Sequence, residues 1–319
     1  MPTILVRDAH DAERPRALQM ALGEPSSDAC QVQRICQLTE SSLQRCGGEI
    51  GGLHVLEAHG RLLAACASLD LPGSVSLFLL PLWNLAHIGL RQLTDLLTFA
   101  ARAAAGRRRR FAQVMPPPEI AEQARPALLQ AGFTHLADLL YMHRSAYDPV
   151  PIHPIDQTAW LTLADTGEDL FADLIRQTYV DSLDCPGLTG VRTVQDVLAS
   201  HRGAGEFDPS GWYVLQYCNQ PAGVLITART AFRTSLEVVY VGLVPRARGK
   251  GLGRLCVHHA IQRARDLALA RVSLAVDAAN HSACRLYNAM GFATHTTKSV
   301  WIQVFRRADA EGLFTLPAL

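Results

Sequence analysis

The sequence has almost no net charge: 30 Lys and Arg stand against 29 Asp and Glu over 319 residues, a formal +1. So balanced a chain creates no broad basic field to neutralise phosphates, which excludes DNA or RNA as the main partner. Long hydrophobic runs are also absent. The longest, residues 75–90, is broken by Pro81, Asn84 and His87 and falls short of the roughly 20 apolar residues that a bilayer span requires. No membrane helix is therefore expected. The opening MPTILVRDAHDAERPR carries Asp8, Asp11 and Glu13 where an export signal needs an apolar core, so a cytoplasmic location is expected. Eight cysteines are spread along the chain with no CxxC pair and no His at zinc-finger spacing. Reduced structural thiols and no metal site are the expectation.

What is present is core. Hydrophobic residues make up 49% and charged residues 18%, a globular balance. At about 100 to 200 residues per domain the length implies two domains. The segment YDPVPIHPIDQ at 147–157 has prolines at 149, 151 and 154, which favour an extended connector. The expected division is a first domain over 1–147, a linker over 148–157 and a second domain over 158–319. Both halves end in an apolar helical run, a Gly-Phe pair and a strand-like segment, with the pairs at Gly132-Phe133 and Gly291-Phe292. That order points to an internal duplication.

In the second half, 212–216, 224–228 and 235–244 read as strands. The stretch 254–270 then has apolar residues at helical spacing, and 272–276 reads as a further strand. The matching elements of the first half are strands at 53–57, 61–68, 75–80 and 111–114 with a helix over 90–105. Each half is a mixed α/β layer.

Between strand and helix of the second half lies PRARGKGLGR, 245–254. Gly249, Gly251 and Gly253 let the backbone approach a ligand closely, and the free amides of a helix's first turn favour negative charge. Arg246, Arg248, Lys250 and Arg254 add positive charge. The glycine spacing breaks the dinucleotide GxGxxG, and Gly251 follows Lys250 where an NTPase loop needs Ser or Thr. A different phosphate compound is expected.

With Arg248, Gly251 and Gly253 spaced as Q/RxxGxG/A, the loop resembles that of the GNAT acyltransferase superfamily. The segment VDAANHSACRLYNAMGF at 276–292 is similar to that family's second signature, through Asn280, Tyr287, Gly291 and Phe292. The resemblance covers residues 155–307. It implies α/β (α+β) architecture as two tandem GNAT-like domains, each a mixed, mostly antiparallel sheet flanked by helices. It also implies acetyl-CoA as co-substrate, its pyrophosphate on the backbone of Arg248, Gly249, Lys250, Gly251, Leu252 and Gly253, with Arg254 and Asn280 as further contacts.

Acyl transfer to an amine needs a base, an oxyanion donor and an acid for the leaving thiolate. Glu237, on an otherwise apolar strand, is the candidate base, against a purely solvated role. By resemblance, a backbone amide at Leu243 or Val244 faces the thioester oxygen. Tyr287 is the candidate acid, against a core role, because a phenol with pKa of about 10 can reprotonate a thiolate whose acid has pKa of about 8.5. Asn280 precedes a helix and can equally cap it. Cys284 and His281 lack a positioned orienting group, so covalent catalysis is not expected.

The first half lacks this chemistry. It reads LPLWNLAHIGLRQL, with Gly89 alone, in place of the loop, and Leu128 stands where the second half has Tyr287. The four arginines at 107–110 are read as a charged turn rather than an anion site. A worn copy followed by an intact one is similar to the tandem branch that contains mycothiol synthase, as are FDPSG at 207–211 and Glu237 before VVYVG. The expected function is transfer of an acetyl group from acetyl-CoA to a small-molecule primary amine. A non-catalytic acyl-CoA sensor and a protein or peptide N-acetyltransferase are the alternatives. Asp184, in the segment 181–192, is a further candidate contact for the acceptor amine. A monomer is expected, with a dimer as the alternative.

Overall fold

The computed structural model describes residues 4–23, 28–80, 88–150, 154–230 and 234–306. They form two compact units, one of residues 4–137 with 298–306, the other of 138–297. The first contains β1 (Ile4–Asp8), α1 (Arg14–Leu22), α2 (Ala29–Arg45), β2 (Glu49–Ala58), β3 (Arg61–Leu71), β4 (Val75–Leu79), α3 (Leu90–Gly106), β5 (Phe111–Val114) and α4 (Ala121–Gln130). Strand β6 (Thr134–Ser145) carries the chain into the second unit. There follow β7 (Thr158–Thr162), α5 (Leu163–Thr166), α6 (Glu168–Thr178), α7 (Val194–Arg202), β8 (Trp212–Tyr217), β9 (Gln220–Arg229) and β10 (Ser235–Leu243). The unit continues with α8 (Leu252–Asp266), β11 (Arg271–Asp277) and α9 (His281–Ala289), and β12 (Ala293–Val304) returns the chain to the first unit.

One strand pattern occurs twice. In the first unit β1 to β5 pair in order, and Trp301–Val304 of β12 lie antiparallel against Phe111–Val114. In the second, β7 to β11 pair in order, and Leu139–Ser145 of β6 lie antiparallel against Arg271–Asp277. The fourth and fifth strands are parallel in both units and the other pairs are antiparallel. The sixth strand of each unit thus comes from the other half of the sequence. The expected division at 147–157 differs from this: the proline-rich connector follows β6, but β6 already pairs inside the second unit, so the compact units part at 137 and 138. Residues 151–153 of the connector lie outside the described residues.

The second unit is layered. Phe171, Leu174 and Ile175 of α6 and Val194, Val197 and Leu198 of α7 follow helical spacing, and they pack on Val214, Val224, Ile226 and Tyr240. Val257, Ala260, Ile261 and Ala264 of α8 pack on Leu236, Val238, Val272 and Leu274. Each of the valine, leucine, isoleucine and phenylalanine side chains contributes about 1.5–3 kcal/mol by leaving water. Leu236 and Val238 serve the α8 layer while Tyr240 serves the α6 layer, although an uninterrupted strand would send all three to one face. A β-bulge between Val238 and Tyr240 accounts for the switch.

Candidate active site

Strands β10 and β11 pair only from Ser235–Val238 against Arg271–Leu274. Beyond the bulge β10 runs on to Leu243, while β11 stays with β6 as far as Asp277. The separation opens a cavity of about 740 Å³. Its walls are β10 from Val238 to Leu243, the glycine loop, Asn280 and Tyr287 of the α9 region, and the stretch after α6 that holds Asp184.

The glycine loop has the backbone its composition predicts. Gly249 and Gly251 sit at φ 75° and 79°, a left-handed conformation that costs other residues roughly 1–2 kcal/mol. Leu252 opens α8, and the amides of residues 249–253 donate no hydrogen bond to a described residue. Such a row of unpaired amides at a helix start suits an anion. The Leu252 side chain is fully buried, so only its backbone can serve. Gly253 and Arg254 line the cavity, whereas the Lys250 ammonium lies 5.3 Å from the Tyr217 ring centre and is not part of the wall.

Arg248 differs from the expectation that its charge surrounds the ligand. Its Nε donates to Leu243 O at 3.1 Å and its Nη2 to Thr178 O and Val180 O at 3.0 and 2.6 Å. Nη1 donates to Asp181 O at 3.2 Å, and the backbone amide donates to Pro245 O at 3.2 Å. Its donors are turned to the protein.

The two candidate oxyanion donors separate. Val244 N donates to Ala222 O at 3.0 Å and is spent on β9. Neighbouring residues of a strand point their amides to opposite sides, so Leu243, which lines the cavity, directs its amide into the gap left by β11.

Tyr287 lines the cavity, with its ring edge-on to Phe292 at 5.8 Å. Burial, with the Asp184 carboxylate next in effect, pushes its phenol well above the usual tyrosine range and keeps the proton on. Asn280 lines the cavity and also caps α9, its Oδ1 accepting from Ala283 N at 3.2 Å. Glu237 stands one residue before Val238, where β10 joins the cavity wall, half-buried, and burial raises its carboxyl. A raised carboxyl is the stronger base. The structure therefore gathers Leu243, Arg248, Gly249, Gly251, Gly253, Arg254, Asn280 and Tyr287 around one cavity, with Glu237, Val244, Lys250 and Leu252 adjoining it.

Arg285 also lines the cavity, exposed, although the sequence reading assigned it no role. Its signal was its place one turn after Asn280. Asp184 is in the wall too, half-buried and without a hydrogen bond or ion pair to its carboxylate among the described residues. Burial, and then the like charge of Asp277, raise its pKa, and Arg192 opposes the shift. Cys284 donates to Asp277 O at 3.6 Å, and burial raises its thiol, which fits a structural thiol. No group of three or more potential metal ligands occurs among the described residues.

Residues 178–292, which hold the loop, the cavity and Tyr287, match the acetyltransferase (GNAT) family model. Over that stretch the chain is similar to the GNAT family, and the match supports an N-acetyltransferase, of a class that uses acetyl-CoA. Among individual proteins it is similar to the mycothiol acetyltransferase of Thermobispora bispora, with 28% identity over 87% of this chain and 92% of that one. A mycothiol acetyltransferase of Streptomyces griseus is 34% identical over 33% of this chain and 34% of its own. The fold is shared with a GCN5-related N-acetyltransferase of Sphaerobacter thermophilus at TM-score 0.63, with 15% identity and 98% of both chains covered. It is also shared with a tandem GNAT protein from the clavulanic acid biosynthesis pathway, at TM-score 0.53 and 15% identity over 97% of this chain and 100% of that one. No helix among the described residues is long and apolar enough to cross a membrane.

Proposed function

We propose that the second unit transfers acetyl from acetyl-CoA directly to the primary amine of a small molecule. The observation that carries this reading is the joining, in one cavity, of the unpaired amides after Arg248 with Leu243 and Tyr287. The amides of residues 249–253 and the side chain of Arg254 receive the pyrophosphate. Asn280 borders the pantetheine. The Leu243 amide receives the developing oxyanion, a role for which preorganised donors contribute several kcal/mol.

Glu237, directly or through water, removes a proton from the acceptor ammonium, and the freed nitrogen attacks the acyl carbon. As the carbon–sulfur bond breaks, Tyr287 gives its proton to the thiolate and recovers one from the nitrogen or solvent. The balance is one amide, one thiol and one proton released. Asp184 holds the acceptor's ammonium on the opposite wall. The similarity to mycothiol acetyltransferases favours a small acceptor over a peptide.

The test is release of free CoA thiol from acetyl-CoA with a panel of primary amines that includes glucosamine and cysteinyl-glucosamine, set against basic peptides. Faster release with a small amine supports the reading. Release with peptides alone contradicts it.

A further inference from the structure

The guanidinium of Arg248 joins three parts of the cavity. It holds Leu243 O at the end of β10, its own backbone begins the glycine loop, and it caps the carbonyls of Thr178, Val180 and Asp181. Thr178 O is among the last carbonyls of α6, where a helix leaves acceptors unpaired and a cation is favoured, and the carbonyls of Val180 and Asp181 follow in the turn beyond it. The planar fork of an arginine suits several acceptors at once, and a lysine ammonium does not.

The chain just beyond is under tension. Asp181 at φ 52° and Cys185 at φ 45° are both left-handed without being glycine, a condition that costs on the order of 1–3 kcal/mol each and persists only when surroundings hold it. Between them lie Ser182, Leu183 and Asp184, all cavity-lining. Arg248 grips this stretch at Asp181, its strained first residue. At Thr178 the hydroxyl donates to Ile175 O at 2.7 Å and accepts from Tyr240 Oη at 2.8 Å, which anchors the near end of the same wall to β10.

We propose that Arg248 is a positioning residue that fastens the wall 178–184 to the glycine loop, so that acetyl-CoA seated on the loop orders the wall facing the acceptor. The inference rests on the acetyl-CoA reading above. A ligand that immobilises residues 249–253 restricts the backbone that carries Arg248. Whatever stability the wall gains from acetyl-CoA, acetyl-CoA gains in affinity from an ordered wall.

The experiment follows amide hydrogen exchange of the full chain with and without acetyl-CoA, alongside calorimetric affinity for acetyl-CoA, in the natural protein, Arg248→Met and Arg248→Lys. In the natural protein, exchange over 179–185 should slow about 5- to 150-fold on binding, the usual span of coupling between sites. In Arg248→Met, and more weakly in Arg248→Lys, that slowing should vanish while slowing over 249–256 remains and affinity falls by no more than the same factor. Unchanged exchange over 179–185 in a natural protein that binds acetyl-CoA would overturn the proposal. So would full slowing in both variants, or an affinity loss above a hundredfold with the wall's exchange unaltered, which would make Arg248 a phosphate ligand. Absence of acetyl-CoA binding to the natural protein overturns the acetyl-CoA reading itself, and the proposal with it.

Discussion

The two units share a strand pattern and part company just past the fourth strand. In the second unit β10 outruns its pairing with β11 by five residues, Val239 to Leu243, and the bulge turns that extension away from its neighbour. In the first unit β4 outruns its pairing with β5 by one residue, Leu79, and β5 ends at Val114 with Pro116, Pro117 and Pro118 following. A cleft between parallel strands thus comes from what the chain does after pairing stops, because the paired stretch is four residues long in both units. The segment 81–87, where the first half lacks a glycine loop, lies outside the described residues.

The polar groups differ as well. The first unit holds an Asp8–His54–Ser68 chain, exposed at Asp8 and buried at the other two, with His54 Nδ1 2.7 Å from Asp8 and Nε2 3.0 Å from Ser68 Oγ. The order resembles a hydrolytic triad, but Ser68 is 0% and His54 1% exposed, so no substrate reaches the hydroxyl and the chain serves packing. Arg107 donates to both oxygens of buried Asp70 at 2.8 and 3.2 Å. The charged turn at 107–110 is tied to the protein at that residue.

The comparison can be broken by exchanging equivalent positions. The largest effect is expected from Tyr287→Phe, which should lower turnover by about 10² to 10⁴, the range ascribed to general acids, with acetyl-CoA affinity nearly intact. Its counterpart Leu128 is fully buried. Leu128→Ala should leave steady-state rates per folded molecule unchanged and lower stability by about 2–5 kcal/mol, read by denaturant titration. An unchanged rate in Tyr287→Phe would remove that residue from the chemistry.

Gly251→Val should follow, with acetyl-CoA affinity reduced by about a hundredfold, because a β-branched residue is strained at φ 79° and crowds the loop. Gly89 has φ −78°, and an added Cβ there would meet the movable end of Gln92. Gly89→Ala should leave acetyl-CoA binding unaltered by calorimetry. Equal losses at both positions would mean that the first unit takes part in binding.

A smaller effect is expected on acid stability. His201 is half-buried with its Nε2 enclosed and without a hydrogen bond, and burial followed by the charge of Arg192 pushes it down to about 3. Its unfolded pKa is near 6.5, so between pH 6.5 and about 3 the unfolded chain binds a proton that the folded one does not, and stability falls with acid by up to about 1.4 kcal/mol per pH unit. His201→Leu should flatten that slope in denaturant titrations at pH 7 and pH 5. An unchanged slope would show that His201 is not the titrating group. The mildest expectation concerns Glu237→Gln, whose loss of turnover should be greatest at low pH, where the acceptor most needs a base. A loss independent of pH would reduce Glu237 to a binding role.

Much of this was legible in the sequence because the informative residues are local. Gly249 and Gly251 announce left-handed backbone by type, and the strand expected at 235–244 is observed as Ser235–Leu243. The helix expected over 254–270 runs instead from Leu252 to Asp266 and is followed by Ala268 at φ 54°, which ends it. Two features depend on distant partners and carry no local mark. Strand β6 reads as an ordinary strand, and only its register against β11 assigns it to the second unit. Arg248 looks like one more cation, and its acceptors lie 67 to 70 residues back along the chain apart from Leu243.

Calorimetric titration of the full chain with acetyl-CoA tests the central claim most directly, since it counts sites as well as measuring affinity. One site per chain, weakened about a hundredfold by Gly251→Val, is the predicted result. Two sites, or one whose affinity that substitution leaves unchanged, would contradict the assignment of acetyl-CoA to the second unit alone.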